Sequence, residues 1–242
     1  AVAQRMAASG VEYFGVSNLD EAMELRRANI TQPILILSYT SPSEVARLAE
    51  YRVTQTVVSK EHGEALAAAA RQIGAQLTVH LKVDTGMSRV GFICHSESDI
   101  TASVGEIASL NQLDGLDVEG IFTHFASADE CEDDGFTREQ FARFTAVIEQ
   151  AQKLGVSFRL RHCCNSAATL RYPEMHLDMV RSDWGGHRGK CYLNYANSNE
   201  YRPAMGFSDD TRCQFDIINP KVSDIGTVFY DIGSKTLRTL QY

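Results

Sequence analysis

The sequence predicts an α/β protein: a (β/α)8 TIM-type barrel whose first strand is not among the 242 residues, followed by the start of a β domain. Two observations predict this fold. Short β-type runs alternate with helical stretches up to Arg181 without a glycine-rich dinucleotide turn, and beyond Arg181 alternating β-type runs continue with no helical pattern between them. An open doubly wound sheet is the alternative, which the regular alternation disfavours. We expect a barrel domain over 1–182 and a partial C-terminal β domain over 183–242.

Seven runs in the barrel region are predicted to be strands, because they are short, rich in β-branched or apolar residues and bounded by turn residues. They are 11–16, 34–37, 54–58, 77–83, 118–125, 157–161 and 177–181. In the second region, the runs 213–218 and 227–232 alternate in the way that half-buried strands do.

Capping patterns place helices between the strands. The segment 41–44 (SPSE) supplies a cap, a proline at the first helical position and an acidic residue three positions after the cap. The segment 137–140 (TREQ) repeats the capping pattern and predicts a helix that ends near Leu154. Asn165 and Ser166 form the predicted start of a further helix, and residues 1–10 form the second half of an amphipathic one.

Charge and composition exclude several classes of partner. The net charge is −8 and no basic stripe is present, which argues against nucleic acid and anionic lipid as partners. No apolar run approaches the roughly 20 residues that cross a bilayer. The six cysteines show no CxxC pair, so we expect reduced thiols in a soluble, cytoplasmic protein that acts on a small molecule.

Polar side chains follow four of the predicted strands, at the end of a barrel where active sites are built. Candidates for chemistry are Lys82, Arg89, His124, His162, Asn165, Ser166 and Arg181. Each has a structural alternative: an ion-pair network around Lys82 and Asp84, hydrogen-bonded core histidines, and ordinary helix capping by Asn165. The turn at Asn165 could equally serve as an anion site.

A zinc site at His162, Cys163 and Cys164 is a further alternative. Successive residues of a strand point to opposite faces, so three adjacent residues are not expected to converge on one tetrahedral ion. We therefore expect no metal.

The run 80–92 (HLKVDTGMSRVGF) resembles the KVDTGM-x-R-x-G signature of the alanine racemase family. Further matches follow in order: Gly15-Val16 with Asp20-Glu21-Ala22 and Leu25-Arg26, then 120–126 (GIFTHFA), His162 with 165–167 (NSA), and 179–181 (MVR). The resemblance implies a barrel that binds pyridoxal 5'-phosphate, followed by a β domain. It also implies a head-to-tail homodimer that interconverts L- and D-alanine.

The resemblance implies roles in catalysis for three residues. Lys82 is similar to a lysine that is carbamylated in the family and that neutralises and orients Arg89. Arg89 is similar to the arginine that faces the phenolic oxygen of the cofactor. His124 is similar to the histidine that supports a catalytic tyrosine of the opposite subunit.

The resemblance also implies a cofactor-binding set. His162 is similar to the histidine bonded to the arginine at the pyridine nitrogen, and Arg181 matches that arginine. Ser166, with Asn165 beside it, is similar to a phosphate ligand. An arginine beside the ring nitrogen disfavours its protonation and so limits over-stabilisation of the carbanion.

Two family motifs are not found in the 242 residues: the lysine-containing first-strand motif and the motif that bears the tyrosine base. The segment after Arg181, with Asp183, also departs from the family's phosphate-binding turn. We therefore expect this chain to be inactive by itself. Serine is the alternative substrate, and a non-catalytic pyridoxal-phosphate-binding barrel or an inactive fragment is the alternative function.

Overall fold

A computed structural model describes residues 2–130 and 133–181, together with the backbone of two strands, Thr227–Asp231 and Thr236–Leu240. The barrel region contains seven α-helices: α1 Val2–Ala8, α2 Leu19–Arg27, α3 Val45–Glu50, α4 Lys60–Gln72, α5 Glu97–Leu110, α6 Gly135–Lys153 and α7 Ser166–Arg171. Short 3-10 turns cover Pro42–Glu44 and Pro173–Met175. Its strands are β1 Phe14–Val16, β2 Ile34–Ile36, β3 Thr54–Val57, β4 Leu77–Asp84, β5 Phe92–Ile93, β6 Leu116–Phe122 and β7 Leu160–His162.

Six of these strands form one parallel sheet in the order β1-β2-β3-β4-β6-β7, and the sheet curls into a half-barrel. β5 adds a short parallel pairing to the end of β4. Helices connect successive strands, as parallel pairing requires. The predicted α/β barrel class is therefore confirmed, in the form of a partial (β/α)8 barrel.

The apolar core lies between the sheet and the helices. Residues such as Ile34, Val57 and Leu81 on the strands are fully buried, as are Leu66 of α4 and Phe144 of α6. Burial of each such side chain contributes about 1.5–3 kcal/mol to folding. This layer fixes the strands, and with them the residues that follow each strand.

The face of the sheet that turns into the barrel is polar. In register, Lys82 of β4 pairs with Phe122 of β6, and Phe122 pairs with His162 of β7. Two residue pairs nearer the amino ends of the strands, and so on the same face, His80 lies opposite Gly120. Barrel interiors are ordinarily filled by branched apolar side chains, so this composition is unusual.

A β-bulge interrupts β6 between these layers. Val79 pairs with Val118, but the next residue, His80, pairs with Gly120, so that Glu119 is the extra residue. The bulge allows Glu119 to reach His80 although neighbouring positions of a regular strand face opposite ways.

Six of the seven predicted strands are confirmed, but the seventh, at 177–181, is not a strand. Asp178 N donates to Arg161 O and Arg181 N donates to Cys164 O, so the segment runs beside the end of β7. Leu177 has a φ of 54°, which breaks the extended backbone that a ladder needs.

The helix starts at 41–44 and at Asn165 are confirmed, with Ser41 and Asn165 as side-chain caps. The predicted cap at Thr137 is wrong. α6 begins at Gly135, and Thr137 is buried in its first turn with no hydrogen-bond partner for its hydroxyl among the described residues.

The expectation that His162, Cys163 and Cys164 point to alternate faces of a strand is wrong for the two cysteines. Cys163 and Cys164 lie beyond the end of β7, and the Sγ atoms of both approach Met175 O at 3.2 Å, so they do not point to opposite faces. Within 2–130 and 133–181, no group of three or more His, Cys, Asp or Glu side chains could hold a metal ion.

The two later strands, β8 Thr227–Asp231 and β9 Thr236–Leu240, pair antiparallel, which confirms the strand predicted at 227–232. The run 213–218 lies outside the described residues, and the division at 182/183 stays a prediction. Across the described part of the chain, no helix has the length and apolar character needed to span a membrane.

Candidate active site

Asp84 organises the loop that leaves β4. Its carboxylate accepts hydrogen bonds from the amides of Gly86 (3.0 Å), Ser88 (3.0 Å) and Arg89 (2.9 Å), and from Nε2 of His95 (3.2 Å). Burial opposes ionisation of Asp84, but these donors together hold its pKa below the usual value. The structural alternative is observed in part: Asp84 bonds to the loop amides and pairs with His95, and it forms no salt bridge with Lys82.

Lys82 is buried beneath this loop. Its Nζ donates to Val83 O at 3.0 Å and lies 5.6 Å from the centroid of the Phe122 ring. Burial is the main cause that lowers the pKa of Lys82 to about 7, and repulsion from Arg181 is the second. Much of the amine is therefore neutral at neutral pH, the form that can react with carbon dioxide.

Arg181 and His162 form a bonded pair above the Phe122 ring. Arg181 Nη1 lies 2.6 Å from His162 Nδ1, and Nη2 donates to Thr123 O at 2.7 Å and to Cys163 O at 3.4 Å. The imidazole stacks on Phe122 with a centroid separation of 4.8 Å. Burial lowers the pKa of Arg181 to about 10 and that of His162 well below its usual value, so at neutral pH the arginine is charged and the histidine neutral.

His124 and Arg89 complete a basic cluster with Lys82 and Arg181. Burial is the main cause that lowers the pKa of His124 to about 3. Repulsion from Arg181 is the second cause, and Lys82 and Arg89 add smaller repulsions. The Arg89 side chain is exposed, and its guanidinium makes no hydrogen bond to 2–130 or 133–181. The cluster carries positive charge that Asp84, turned to the loop amides, does not fully offset.

Asn165 acts as a helix cap. Its Oδ1 accepts from Ala168 N at 2.9 Å, and its Nδ2 lies 3.5 Å from Phe125 O. Ser166 follows at the first position of α7. Helix capping by Asn165, the structural alternative, is thus observed, and binding of a phosphate by Asn165 or Ser166 stays a prediction.

Sequence reasoning missed Gln140 and His80. Gln140 is fully buried in α6. Its side chain accepts from Ala126 N (2.9 Å) and donates to His124 O (3.3 Å), so it fixes the backbone on both sides of Phe125. His80 bonds to His162 across the barrel. The polar alternation Thr78, His80, Lys82 along β4 was the available signal for an inward polar face.

A family model described as the N-terminal domain of alanine racemase matches residues 1–182. The chain belongs to the alanine racemase family. Among its curated relatives, the alanine racemase of Desulforamulus reducens is 47% identical over 180 residues, which cover 74% of this chain and 47% of that protein. That of Desulfovibrio desulfuricans is 46% identical over 181 residues, which cover 75% and 47%. The chain thus spans about half the length of these curated alanine racemases.

Solved structures of the family show the same fold. The alanine racemase of Clostridium difficile 630 in complex with cycloserine aligns with a TM-score of 0.71 and 35% identity, over 77% of this chain and 50% of that chain. A histidine racemase from Leuconostoc mesenteroides aligns with a TM-score of 0.62 and 32% identity, over 73% of this chain and 45% of that chain.

Proposed function

We propose that this chain supplies the cofactor-binding barrel of a pyridoxal-phosphate-dependent amino-acid racemase that acts on alanine. The observation that carries the proposal is the fixed guanidinium of Arg181 inside a basic cluster, at the ends of the strands in a member of the alanine racemase family. The complete enzyme would be a homodimer that acquires its covalent cofactor lysine and its tyrosine base from outside these 242 residues.

The residues of the cluster fit pyridoxal 5'-phosphate. Arg89 and Arg181 leave uncompensated positive charge, which suits a ligand that carries a phosphate and a phenolic oxygen. Arg89 would bind the phenolic oxygen, Arg181 the ring nitrogen, and His162, Asn165 and Ser166 would support the ring and phosphate end. When bound, the cofactor withdraws electrons from the amino acid and makes its Cα proton removable.

The protein would control where protons reside. Arg181 remains charged at neutral pH, so it donates to a ring nitrogen without giving up its proton. His124 is neutral and can therefore accept a hydrogen bond from the hydroxyl of a proton-transferring residue. Gln140 holds the His124 backbone in place while this occurs.

A carbamate on Lys82 would convert the buried amine into an anion beside Arg89. With ¹³C-labelled bicarbonate, we expect a carbamate carbon resonance near neutral pH that disappears in Lys82→Met. Its absence in the wild type would contradict the predicted modification and leave the remainder of the site unaffected.

The test is D-alanine formation from L-alanine by the full-length protein with cofactor. Arg181→Lys should lower kcat/KM by about 10² or more, because the compact ammonium lacks the planar fork that holds His162, Thr123 O and a ligand atom in fixed directions at once. Arg71→Lys, on the exposed end of α4, is the matched control and should change nothing.

Three other outcomes of the same assay are informative. Cofactor bound without turnover of any amino acid would favour the non-catalytic barrel, and faster turnover of serine would reassign the substrate. The isolated 242-residue chain should be inactive, and turnover within about tenfold of a family enzyme would overturn the need for outside residues.

A further inference from the structure

A column of hydrogen bonds runs through the barrel interior, away from the candidate active site. From Arg181 it passes to His162 Nδ1 (2.6 Å), from His162 Nε2 to His80 Nδ1 (2.8 Å), and from His80 Nε2 to Glu119 Oε2 (3.1 Å). Both imidazoles are completely buried. Glu119 lies near the other end of the barrel, where it lines a cavity of about 560 Å³ with Thr54 and Thr78.

Chemistry fixes the direction of every bond in this column. A guanidinium only donates, so His162 Nδ1 must be the acceptor, and the proton of the neutral ring lies on Nε2. That proton is donated to His80 Nδ1, which leaves the His80 proton on Nε2, facing Glu119. A charged His80 would place its Nδ1 proton against the Nε2 proton of His162, so the contact with Glu119 joins a neutral imidazole to a carboxylate.

The backbone is shaped to accommodate the column. A Cβ on Gly120 would lie 2.7 Å from Cε1 of His80, so this position has no room for a side chain beside the ring. The bulge in β6 brings the preceding residue, Glu119, onto the same imidazole. The glycine at position 120 and the bulge at Glu119 thus both make room for, or contact, the His80 ring.

The acidic end is held in its ionised form. The hydrogen bond from His80 is the main cause that lowers the pKa of Glu119, and Arg159 adds attraction from 3.8 Å. The Tyr13 hydroxyl lies 3.1 Å from Glu119 Oε2 and 2.9 Å from Thr54 Oγ1. An anion therefore terminates a column whose other end is the Arg181 cation.

We propose that Glu119 and His80 are positioning residues for Arg181. The carboxylate at one end of the column favours the same tautomers of His80 and His162 that the guanidinium requires at the other end, and so helps to keep an acceptor lone pair of His162 on the guanidinium. Arg181 is then held with three of its N–H groups bonded to described residues, in one orientation toward the ligand. The effect of this orientation on the cofactor rests on the proposed function, whereas the assignment of the two tautomers rests on the hydrogen bonds alone.

The tautomers can be measured on this chain by ¹⁵N NMR with labelled histidine, each ring being assigned from its His→Asn variant. Nε2 should be protonated and Nδ1 unprotonated in both His80 and His162 at neutral pH. Glu119→Gln should move the His162 resonances toward averaged values, although two hydrogen bonds separate the residues. Glu64→Gln, in an exposed pair with Lys60, is the matched control and should leave them unchanged.

Tyr13→Phe keeps the carboxylate and removes one group beside it, so it should shift the same resonances less, and it decides the question if Glu119→Gln does not fold. A protonated Nδ1 on His162, or His162 resonances that neither variant moves, would overturn the proposal.

In full-length protein with cofactor, Glu119→Gln should lower kcat about tenfold and leave KM for alanine within about twofold, as for other outer-shell partners. If its kcat stays within about twofold while the His162 resonances move, the positioning role is refuted. If the wild type has no racemase activity, the proposed function fails, and the NMR result still decides the tautomers.

Discussion

The fit between Gly120 and His80 predicts the cost of adding one methyl group to the barrel interior. In Gly120→Ala, the new Cβ would lie 2.7–2.8 Å from three ring atoms of His80. The ring is completely buried and bonded at both nitrogens, so it cannot move aside without losing contacts. Strain of this kind costs about 1–3 kcal/mol.

Displacement of the ring adds the loss of its hydrogen bonds. The bond to neutral His162 contributes about 0.5–1.5 kcal/mol, and that to the Glu119 carboxylate about 1.5–3 kcal/mol. Because the ring can shift partway and keep some bonding, we expect Gly120→Ala to lower the free energy of unfolding by roughly 3–5 kcal/mol.

Urea unfolding followed by circular dichroism measures this loss, and Gly105→Ala is the matched control. Gly105 lies inside α5 with no atom within 4 Å of an added Cβ, so the same substitution should stabilise the chain by roughly 0.5–1 kcal/mol. Opposite signs are expected for the two variants. A Gly120→Ala protein within about 1 kcal/mol of the wild type would refute the packing argument.

Two further variants test the buried charges by unfolding at different pH. Asp84→Asn should cost about 2–3 kcal/mol, because its amide group would face a backbone donor. Since the pKa of Asp84 is lower folded than unfolded, its contribution is complete above about pH 4 and is lost as the pH falls through the folded value. An undiminished difference below pH 3 would contradict this. Lys82→Met, in buffer free of carbon dioxide, should stabilise the chain below pH 7, where burial of the ammonium costs most, and the gain should vanish as the pH rises from about 7 toward 10.5. A gain independent of pH would contradict the shifted pKa.

Local patterns sufficed for most of the barrel. Six strands and the caps at Ser41 and Asn165 follow from residue type and spacing alone, since each depends on neighbours along the chain. Thr137 failed as a cap because the helix already begins two residues earlier, at Gly135, which leaves Thr137 buried within its first turn. Segment 177–181 failed as a strand because the left-handed φ of Leu177 leaves no trace in the apolar pattern.

The site was predictable where it follows strand ends and unpredictable where it depends on register. Arg181 and His162 were named from the sequence, and the structure places them in contact. His80 and Glu119 are 39 residues apart, and their contact requires both the pairing of β4 with β6 and a bulge. Neither the register nor the extra residue can be derived from composition or periodicity.

The loop after β4 obtains its shape from backbone amides bound to a single carboxylate, that of Asp84. Every amino acid except proline has such an amide, so these bonds constrain side-chain identity only weakly at Ser88 and Arg89. Gly86 and Gly91, at φ values of 145° and 121°, do require glycine, because a Cβ there would lie 2.7 Å from the Phe136 ring and 2.5 Å from Lys82 O. In evolutionary terms, Asp84 preserves the shape of the loop, and that shape does not depend on the Arg89 side chain, whose residue contributes only its backbone amide. A descendant that kept Asp84 and replaced Arg89 would inherit the same loop and present different chemistry at the mouth of the barrel.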